Sequence, residues 1–329
     1  MSKVTYPTDA VLALTYRCDA RCGMCNIWRL EPQEMLTVDD YAKVPSSLKD
    51  INISGGEPFL RKEIVDIVKV VNEKCGGPRI VISSNGFRTK QIIRTMEKLR
   101  SSIPGIGIGV SVDGIGDMHS RIRGVDNAFD KVMDTLNQLK ERGFKNVRIG
   151  FTAMNDNVHE MPQVYDLACR MGFQFTTSVA QNSEIYFSTQ DNQEVRDGEL
   201  GDALGYVMKK ELRSHHPKQW LRAYFESGTL LFNEEQKRML PCSAGLEFFY
   251  LAPEGNVYPC LSIPQVMGSL QGHSFEEVWE SEPAEQVRQN IKGCEQCWMI
   301  CTARSALKKN LPAALGWITK NKIKSHLSN

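Results

Sequence analysis

Two periods of apolar residues alternate along the first half of the chain. Short runs rich in Val and Ile have the length of buried strands, and segments with apolar residues three and four positions apart follow them. The predicted strands are 11–16, 50–54, 79–84, 107–112, 146–154 and 173–179. The predicted helices are 37–48, 62–74, 89–100, 128–142 and 159–171, with a capping box at Thr37 and terminal glycines at Gly143 and Gly172.

Strands and helices that alternate in this way predict an α/β fold with a parallel sheet, in an open or closed barrel with right-handed crossovers. In such a barrel, ligands bind at the carboxyl ends of the strands, and the polar motifs of this chain come directly after predicted strands. We assign 8–180 to the barrel, 181–240 to a polar helical connector, 241–304 to a cysteine-bearing domain and 305–329 to a basic tail.

Charge and hydropathy argue against a nucleic-acid-binding, secreted or membrane-spanning protein. The formal net charge is +1, so no general basic surface points to nucleic acid, and 41% apolar residues suffice for a core. The start of the sequence does not have the pattern of a signal peptide, and no apolar run is long enough to span a bilayer. These features predict a cytoplasmic location.

Ten cysteines are many for a protein without an export signal. Eight of them fall into two groups, which in a reducing compartment indicates metal ligands rather than disulfides. The other two, Cys75 and Cys169, fall in segments with a helical pattern, and we interpret them as inert small hydrophobic residues.

The first group consists of Cys18, Cys22 and Cys25, directly after the first predicted strand. Three thiolates in a short loop can hold a [4Fe–4S] cluster and leave one iron open to another ligand. The alternative is a structural zinc site that takes a fourth ligand from elsewhere. The position after the first strand, with a glycine motif after the second, favours the cluster.

This loop, Cys18-Asp-Ala-Arg-Cys22-Gly-Met24-Cys25, resembles the C-x3-C-x-Φ-C signature of the radical S-adenosylmethionine (SAM) superfamily. Met24 departs from the family pattern, in which this position is usually aromatic. The resemblance covers residues 8–180 and implies a partial (β/α)6 barrel.

The segment after the second strand, Gly55-Gly56-Glu57-Pro58, resembles the GGEP motif of the same family. Glycines let a backbone approach a ligand closely, and Glu57 offers a negative charge to an ammonium group. The resemblance implies that this turn contacts the methionyl amino group of SAM.

A third motif, Ser111-Val-Asp113-Gly114 with His119 and Arg123 downstream, ends the fourth strand. By resemblance, Ser111 and Arg123 hold the SAM carboxylate, since a guanidinium can bind a carboxylate through two hydrogen bonds. Asp113 and His119 are expected to shape the loop. The weaker candidates for contacts to ribose and adenine are Ser84 and Thr152.

The resemblance also implies the chemistry. A flavodoxin- or ferredoxin-type donor reduces the cluster, and SAM is cleaved to methionine and a 5′-deoxyadenosyl radical, which abstracts a hydrogen atom from the substrate. The sequence identifies no catalytic residue beyond these cofactor contacts.

The second group contains five cysteines around a predicted hairpin that turns at residues 254–256. Their arrangement favours a metal site over disulfides. The segment resembles twitch, the short form of the SPASM auxiliary-cluster domain, which implies a fully ligated [4Fe–4S] cluster that conducts electrons. By that comparison the ligands are Cys242, Cys260, Cys294 and Cys297, with Cys301 as a fifth candidate, and the choice of four stays open.

The sequence says little about the substrate. We expect a small sugar-like or nucleotide-like molecule, which the enzyme dehydrogenates or epimerises. A maturase of ribosomal peptides or proteins is one alternative, but a first strand that begins near residue 10 leaves no room for the N-terminal leader-binding domain that many maturases carry. A non-catalytic electron-transfer or scaffold protein is another, and it would not need Ser111 and Arg123.

The basic tail interleaves Leu311, Leu315, Trp317 and Ile318 with lysines, as helices on anionic membranes do. Peripheral membrane contact is one interpretation of this pattern. A capping helix with a solvated basic face is the other.

Overall fold

Strands from both halves of the chain join one sheet in the computed structural model, which describes residues 5–31 and 34–327. The strands are β1 (Asp9–Ala13), β2 (Asp50–Ser54), β3 (Arg79–Ser84), β4 (Gly107–Ser111), β5 (Val147–Ala153), β6 (Gln174–Val179), β7 (Phe248–Leu251), β8 (Asn256–Tyr258) and β9 (Gly268–Ser269). The α-helices are α1 (Val38–Tyr41), α2 (Ile64–Lys74), α3 (Thr89–Ser102), α4 (Asp117–Arg123), α5 (Ala128–Glu141), α6 (Met161–Met171), α7 (Asp197–Arg213), α8 (Pro217–Glu235), α9 (Phe275–Trp279), α10 (Glu282–Asn290), α11 (Ile300–Lys309) and α12 (Leu311–Leu327). Short 3₁₀ turns lie at Ile27–Arg29, Pro58–Leu60 and Val158–Glu160.

The first six strands pair in parallel and in chain order, from β1 beside β2 to β6 at the far edge. Helices connect them, so the predicted α/β fold with a partial (β/α)6 barrel is confirmed. The carboxyl ends of these strands meet at one edge of the sheet. The three predicted SAM-binding motifs follow β1, β2 and β4 at that edge.

The hairpin of the second cysteine group continues the same sheet, which the sequence does not predict. β7 pairs in parallel with β1, where Val11 lies opposite Tyr250, and the antiparallel strands β8 and β9 extend the sheet further. Phe249 of β7 lies in the same hydrophobic core as Leu12 and Ile53. One continuous sheet therefore carries both cysteine groups.

Two predicted elements have different bounds in the structure. The first strand ends at Ala13 rather than at residue 16, because the next residues turn to bind the segment after β2. The helix predicted over 37–48 is a single turn, although the capping box of Thr37 and Asp40 is present. Pro45 has no N–H for a helical hydrogen bond and disfavours helical geometry in the residue before it.

A second hydrophobic cluster joins α7, α8, α11 and α12 beside β6. In the tail, Ile318 and Trp317 turn inward, and the Trp317 ring meets Tyr224 edge to face with centroids 5.6 Å apart. The basic tail is thus a helix packed on the connector. Within the described ranges, no helix combines the length and the hydropathy that crossing a membrane requires.

Candidate functional site

The three cysteines of the first group lie in one loop after β1, and neighbouring elements hold this loop in place. Asn85 Nδ2, after β3, donates a hydrogen bond to Asp19 Oδ1 at 2.7 Å. Asn192 Nδ2, in the connector, donates to the carbonyl oxygen of Met24 at 3.1 Å. The conformation of the cysteine loop is therefore set by protein contacts on two sides.

Gly55 and Gly56 pack against the segment that leads into Cys18. Gly56 N donates to the Thr15 carbonyl at 2.8 Å, and a Cβ on Gly56 would stand 2.3 Å from the carbonyl oxygen of Arg17. Gly55 has a φ of 122°, and a Cβ there would stand 2.4 Å from the Thr15 carbonyl oxygen. These glycines make room for the backbone that positions Cys18, and the predicted approach of a ligand to the same turn stays a prediction.

The side chain of Glu57 is fully buried and ties this turn to β3. Its carboxylate accepts hydrogen bonds from the Asn85 N–H at 2.7 Å and from the Ser84 hydroxyl at 3.1 Å. Burial raises the pKa of Glu57 to about 7, while the N–H groups of Asn85 and Phe59 oppose that effect. The sequence predicts SAM contacts for the side chains of Glu57 and Ser84. The Ser84 hydroxyl and the Glu57 carboxylate bind each other, because a buried carboxylate needs donors, and their contacts with SAM stay a prediction.

The carboxyl end of α4 closes another side of the cysteine loop. The carbonyl oxygens of Ile122 and Arg123 accept hydrogen bonds from the N–H groups of Gly23 and Arg21, both at 2.9 Å. Gly124 follows with a φ of 61°, and a Cβ there would lie 2.4 Å from the Arg21 carbonyl oxygen. The helix must therefore end at a glycine for the loop to fit against it.

Arg123 reaches from α4 toward the cysteines. Its Nη2 lies 2.5 Å from Asp113 Oδ2, and its Nη1 donates to Cys22 Sγ at 3.5 Å. Burial opposes the charge of Arg123, but Asp113 and Cys22 outweigh burial and raise its pKa. In the part of the chain that the structure describes, its buried Nε has no hydrogen-bond partner. A guanidinium with one unpartnered donor thus lies beside Cys22.

Asp113 and His119 shape the loop that carries this ion pair. His119 Nδ1 accepts a hydrogen bond from the Asp113 N–H at 2.9 Å, and Asp113 Oδ1 accepts one from the Thr152 N–H at 2.8 Å. Burial, together with Arg123, lowers the pKa of His119 to about 3, so the imidazole is neutral and can accept. Ser111, the last residue of β4, lies two positions before Asp113.

The thiols of the first group become metal ligands only when they lose their protons. Burial raises the pKa of Cys18 to about 12 and that of Cys25 to about 11. A bound metal favours the thiolate and displaces such protons. Three cysteines, with a buried arginine beside one of them, fit a [4Fe–4S] cluster that keeps one iron open.

The five cysteines of the second group converge between β8, α10 and α11. They are Cys242, Cys260, Cys294, Cys297 and Cys301. Burial first, and then neighbouring thiols, raise the pKa of Cys297 to about 12 and that of Cys260 to about 11. Burial and the thiols of Cys297, Cys260 and Cys242 raise the pKa of Cys301 as well. The structure brings these thiols together, and the choice of four ligands stays a prediction.

No group of three His, Cys, Asp or Glu side chains among the described residues is arranged to hold a single metal ion. A [4Fe–4S] cluster differs from such an ion in that each cysteine binds its own iron.

Trp298 fixes the second cysteine group to α8. Its ring stacks on Phe225 with centroids 5.6 Å apart, and its Nε1 donates to the Phe225 carbonyl at 2.9 Å. A Cβ on Gly228 would lie 2.6 Å from the indole, so α8 needs a glycine there. The Arg238 guanidinium stands 5.2 Å from the centre of the Trp298 ring and donates to the carbonyl of Cys297.

Tyr186 links the two cysteine groups. Its hydroxyl lies 2.5 Å from Ser54 Oγ at the end of β2, and its ring meets Tyr250 edge to face at 5.5 Å. Burial raises the pKa of Tyr186 to about 12, and the thiols of Cys25 and Cys301 act in the same direction. The sequence places Tyr186 only in the connector. It does not predict that β7 pairs with β1, and β7 carries the Tyr250 ring that Tyr186 meets.

A cavity of about 380 Å³ opens at the carboxyl end of β6, between the connector, α8 and the second cysteine group. Its described lining contains one acidic residue, Glu194, and no Lys, Arg or His. Asn192 connects the cavity to the first cysteine loop through the Met24 carbonyl. Side-chain amides dominate the lining, namely those of Gln181, Asn182, Gln190, Asn192, Gln193, Asn233, Gln236 and Gln296.

Family models match both cysteine-bearing regions. Residues 12–168 match the radical SAM superfamily, and residues 242–301 match SPASM, an iron–sulfur cluster-binding domain. The two matches contain all eight cysteines that the sequence assigns to clusters.

Curated relatives are similar over different parts of the chain. Fe-coproporphyrin III synthase of Methanosarcina barkeri is 34% identical over 47% of this chain and 39% of its own length. The subtilosin biosynthesis protein AlbA of Bacillus subtilis is 24% identical over 84% of this chain and 60% of its own length. The chain thus spans about two fifths and three fifths of these two relatives.

Among solved structures, SuiB of Streptococcus suis bound to S-adenosylmethionine has a TM-score of 0.66 to this chain. The identity is 16%, over 87% of this chain and 68% of SuiB, so this likeness concerns the fold.

Proposed function

Because the chain is a radical SAM protein with a C-terminal SPASM-type iron–sulfur domain, we propose that it modifies a peptide through hydrogen-atom abstraction. Its cofactors are SAM, the [4Fe–4S] cluster that binds SAM and an auxiliary [4Fe–4S] cluster. When bound, SAM and the reduced cluster supply the 5′-deoxyadenosyl radical that removes the hydrogen atom. The observation that carries the peptide proposal is the amide-lined cavity beside the second cysteine group, which Asn192 joins to the first cysteine loop.

The residues of the first site have distinct roles in this proposal. Cys18, Cys22 and Cys25 hold the SAM-binding cluster. Arg123, which Asp113 fixes in place, donates to the carboxylate of SAM beside the cluster. The site residues that complete the SAM contacts are Gly55, Gly56, Glu57 and Pro58, Ser84 through its bond to Glu57, and Ser111.

The second cysteine group serves the auxiliary cluster. Four of its five thiols ligate that cluster, and the Arg238 guanidinium beside Cys297 offsets part of the negative charge. The cavity shares Trp298 with this group, so a bound substrate lies next to the auxiliary cluster.

The chemistry of the cavity favours a peptide. A side-chain amide both donates and accepts hydrogen bonds, as a peptide backbone does. The described lining offers no cation to the phosphates of a nucleotide or the carboxylates of a porphyrin. AlbA takes part in the biosynthesis of the bacteriocin subtilosin, and SuiB has been crystallised with the precursor peptide SuiA. We therefore prefer a peptide to the small molecule that the sequence favours.

Deuterium transfer tests this proposal without knowledge of the individual peptide. Source cells grown in heavy water supply a perdeuterated protein and peptide fraction and a perdeuterated metabolite fraction. The reduced enzyme receives SAM and either fraction, and mass spectrometry measures deuterium in the released 5′-deoxyadenosine. Abstraction breaks a substrate C–D bond and forms a C–D bond at C5′. Label from the peptide fraction is the expected result, and label from the metabolite fraction alone would overturn the proposal.

A matched pair of variants locates the binding site. Gln181→Leu removes a hydrogen-bonding group from the cavity at nearly constant volume, and we expect deuterium transfer to fall about tenfold. Gln286→Leu makes the same change on the exposed side of α10, away from the cavity, and should retain full transfer. Equal transfer by both variants would remove the cavity from the proposal.

A further inference from the structure

The C-terminal helix α12 has apolar residues on two sides. On its inner side, Ala314 and Ile318 are buried in the cluster formed with α7 and α8. Lys322 Nζ anchors the same side, since it donates to the carbonyl oxygens of Leu212 and Ser214 at 2.6 and 2.9 Å. The inner side therefore belongs to the protein core.

The outer side of α12 exposes a stripe of large aliphatic residues. Residues four positions apart follow one another along the surface of a helix. Leu315, Ile323 and Leu327 follow this spacing, with Thr319 in the gap, and they are 54, 58 and 79% exposed. With Leu311 at the start of the helix, four of the eight large hydrophobic side chains that the described chain exposes lie on α12.

Basic residues border this stripe. Lys320 and Lys324 are exposed beside it on α12, whereas Lys308 and Lys309, at the end of α11, pair with Asp9 and Glu247. From Thr302 to the end of the sequence there is no Asp or Glu. The outer side of α12 thus combines an apolar stripe with two lysines, on a helix that itself contains no Asp or Glu.

We propose that the outer side of α12 docks on an anionic lipid membrane, with the helix parallel to the surface. The aliphatic stripe would enter the boundary between headgroups and acyl chains, and the lysines would bind anionic headgroups. A second copy of this chain is a poorer occupant, because pairing two such faces would bring like charges together. This inference does not rest on the proposed peptide substrate.

Because α12 also contributes to the core, substitutions on its outer side are a better test than a truncation. Truncation of the tail would remove residues buried in the second hydrophobic cluster, among them Ala314 and Ile318, so loss of binding would be hard to separate from unfolding. Substitutions on the outer side leave these contacts in place. Leu315→Ser with Ile323→Ser tests the stripe, and Lys320→Glu with Lys324→Glu tests the charge.

The experiment is cosedimentation of the full chain, loaded with both clusters, with vesicles of phosphatidylcholine alone or with about one third phosphatidylglycerol. We expect the wild type to bind the anionic vesicles at least about tenfold more tightly, less so in high salt. Both double variants should lose most of this binding while their iron content stays unchanged. Leu246→Ser with Val266→Ser removes exposed aliphatic side chains elsewhere and should bind as the wild type does.

Three results would overturn the inference. One is equal binding of the wild type to neutral and anionic vesicles. Another is full binding by the Leu315→Ser and Ile323→Ser double variant. The third is a dimer in size-exclusion chromatography that this double variant converts to a monomer without any vesicle binding, which would assign the stripe to a second copy.

Discussion

The guanidinium of Arg123 lies between two groups, the carboxylate of Asp113 at 2.5 Å and the thiol of Cys22 at 3.5 Å. Asp113 follows β4, and Cys22 follows β1, so the arginine joins two motifs that are distant in sequence. Asp113 is fully buried, and an ion pair in such a place keeps its geometry because neither charge can turn to solvent. The result is a fixed cation beside the first cysteine group.

We predict that Arg123→Lys weakens SAM binding about tenfold or more, because lysine keeps the charge but lacks the planar set of donors. Equilibrium dialysis of the cluster-loaded protein measures the dissociation constant. Arg121→Lys makes the same change on the exposed side of α4 and should leave the affinity unchanged. If Arg123→Lys binds SAM as tightly as the wild type, Arg123 is not a SAM ligand.

Gly56→Ala should disrupt the first cluster without touching a cysteine. The new Cβ would stand 2.3 Å from the Arg17 carbonyl oxygen, so the backbone that leads into Cys18 must move. We expect a loss of about half of the iron and a stability loss of about 2 kcal/mol or more. Gly105→Ala, where a Cβ meets nothing within 4 Å, is the control and should keep all its iron. A Gly56→Ala protein with full iron would show that this packing does not position the cluster.

Iron analysis separates the two clusters. Anaerobically reconstituted wild type should carry about eight irons, four in each cluster. The triple change of Cys18, Cys22 and Cys25 to Ala should remove about four of them, and the double change Cys260→Ala with Cys297→Ala should remove the other four. Cys75→Ala, a buried thiol outside both groups, should remove none. A triple variant that keeps all its iron would contradict the assignment of the first group.

The sequence predicts those parts of the site whose positions follow from the pattern of neighbouring residues. The six barrel strands follow from short apolar runs, and the first cysteine loop follows from its spacing after β1. The pairing of β7 with β1 joins residues such as Val11 and Tyr250, which are far apart in sequence. No local period signals such a pairing, so the sequence does not predict that one sheet carries both cysteine groups.

The direction in which a side chain points is also not predicted by the sequence. The motif identifies Glu57 and Ser84 as site residues, but only the packing of β2 beside β3 shows that these side chains bind each other. In the tail, apolar residues occur on two sides of α12, so the pattern alone does not show that Trp317 and Ile318 turn inward while Leu315 turns outward.

A buried acidic pair in the connector should make stability depend on pH. Glu211 of α7 and Glu226 of α8 are both buried, with the Arg222 side chain nearby. Burial raises the pKa of both carboxyl groups well above the usual range. The charge of Glu226 adds to the rise at Glu211, and Arg222 opposes the rise at both. Because the folded pKa values lie above the ordinary value of 4.5, the stability is present in full below pH 4.5 and is lost as the pH rises through the raised pKa values of the pair.

Glu226→Gln removes one of these titrating groups and should stabilise the protein increasingly from pH 6 to pH 9, by about 1–3 kcal/mol at the upper end. Anaerobic urea unfolding at a series of pH values measures this difference. Glu234→Gln, at an exposed position of the same helix, is the control and should follow the wild type. A constant difference between Glu226→Gln and the wild type at every pH would refute the titration of this pair.

Release of 5′-deoxyadenosine is the measurement that decides whether this chain performs radical SAM chemistry. The cluster-loaded wild type, reduced under anaerobic conditions and supplied with SAM, should form 5′-deoxyadenosine and methionine in equal amounts, as liquid chromatography can show. The triple variant of Cys18, Cys22 and Cys25 should form neither. If the wild type, with both clusters loaded, forms no 5′-deoxyadenosine with any reductant and peptide fraction, the proposed activity is wrong and the chain is an electron carrier or a scaffold.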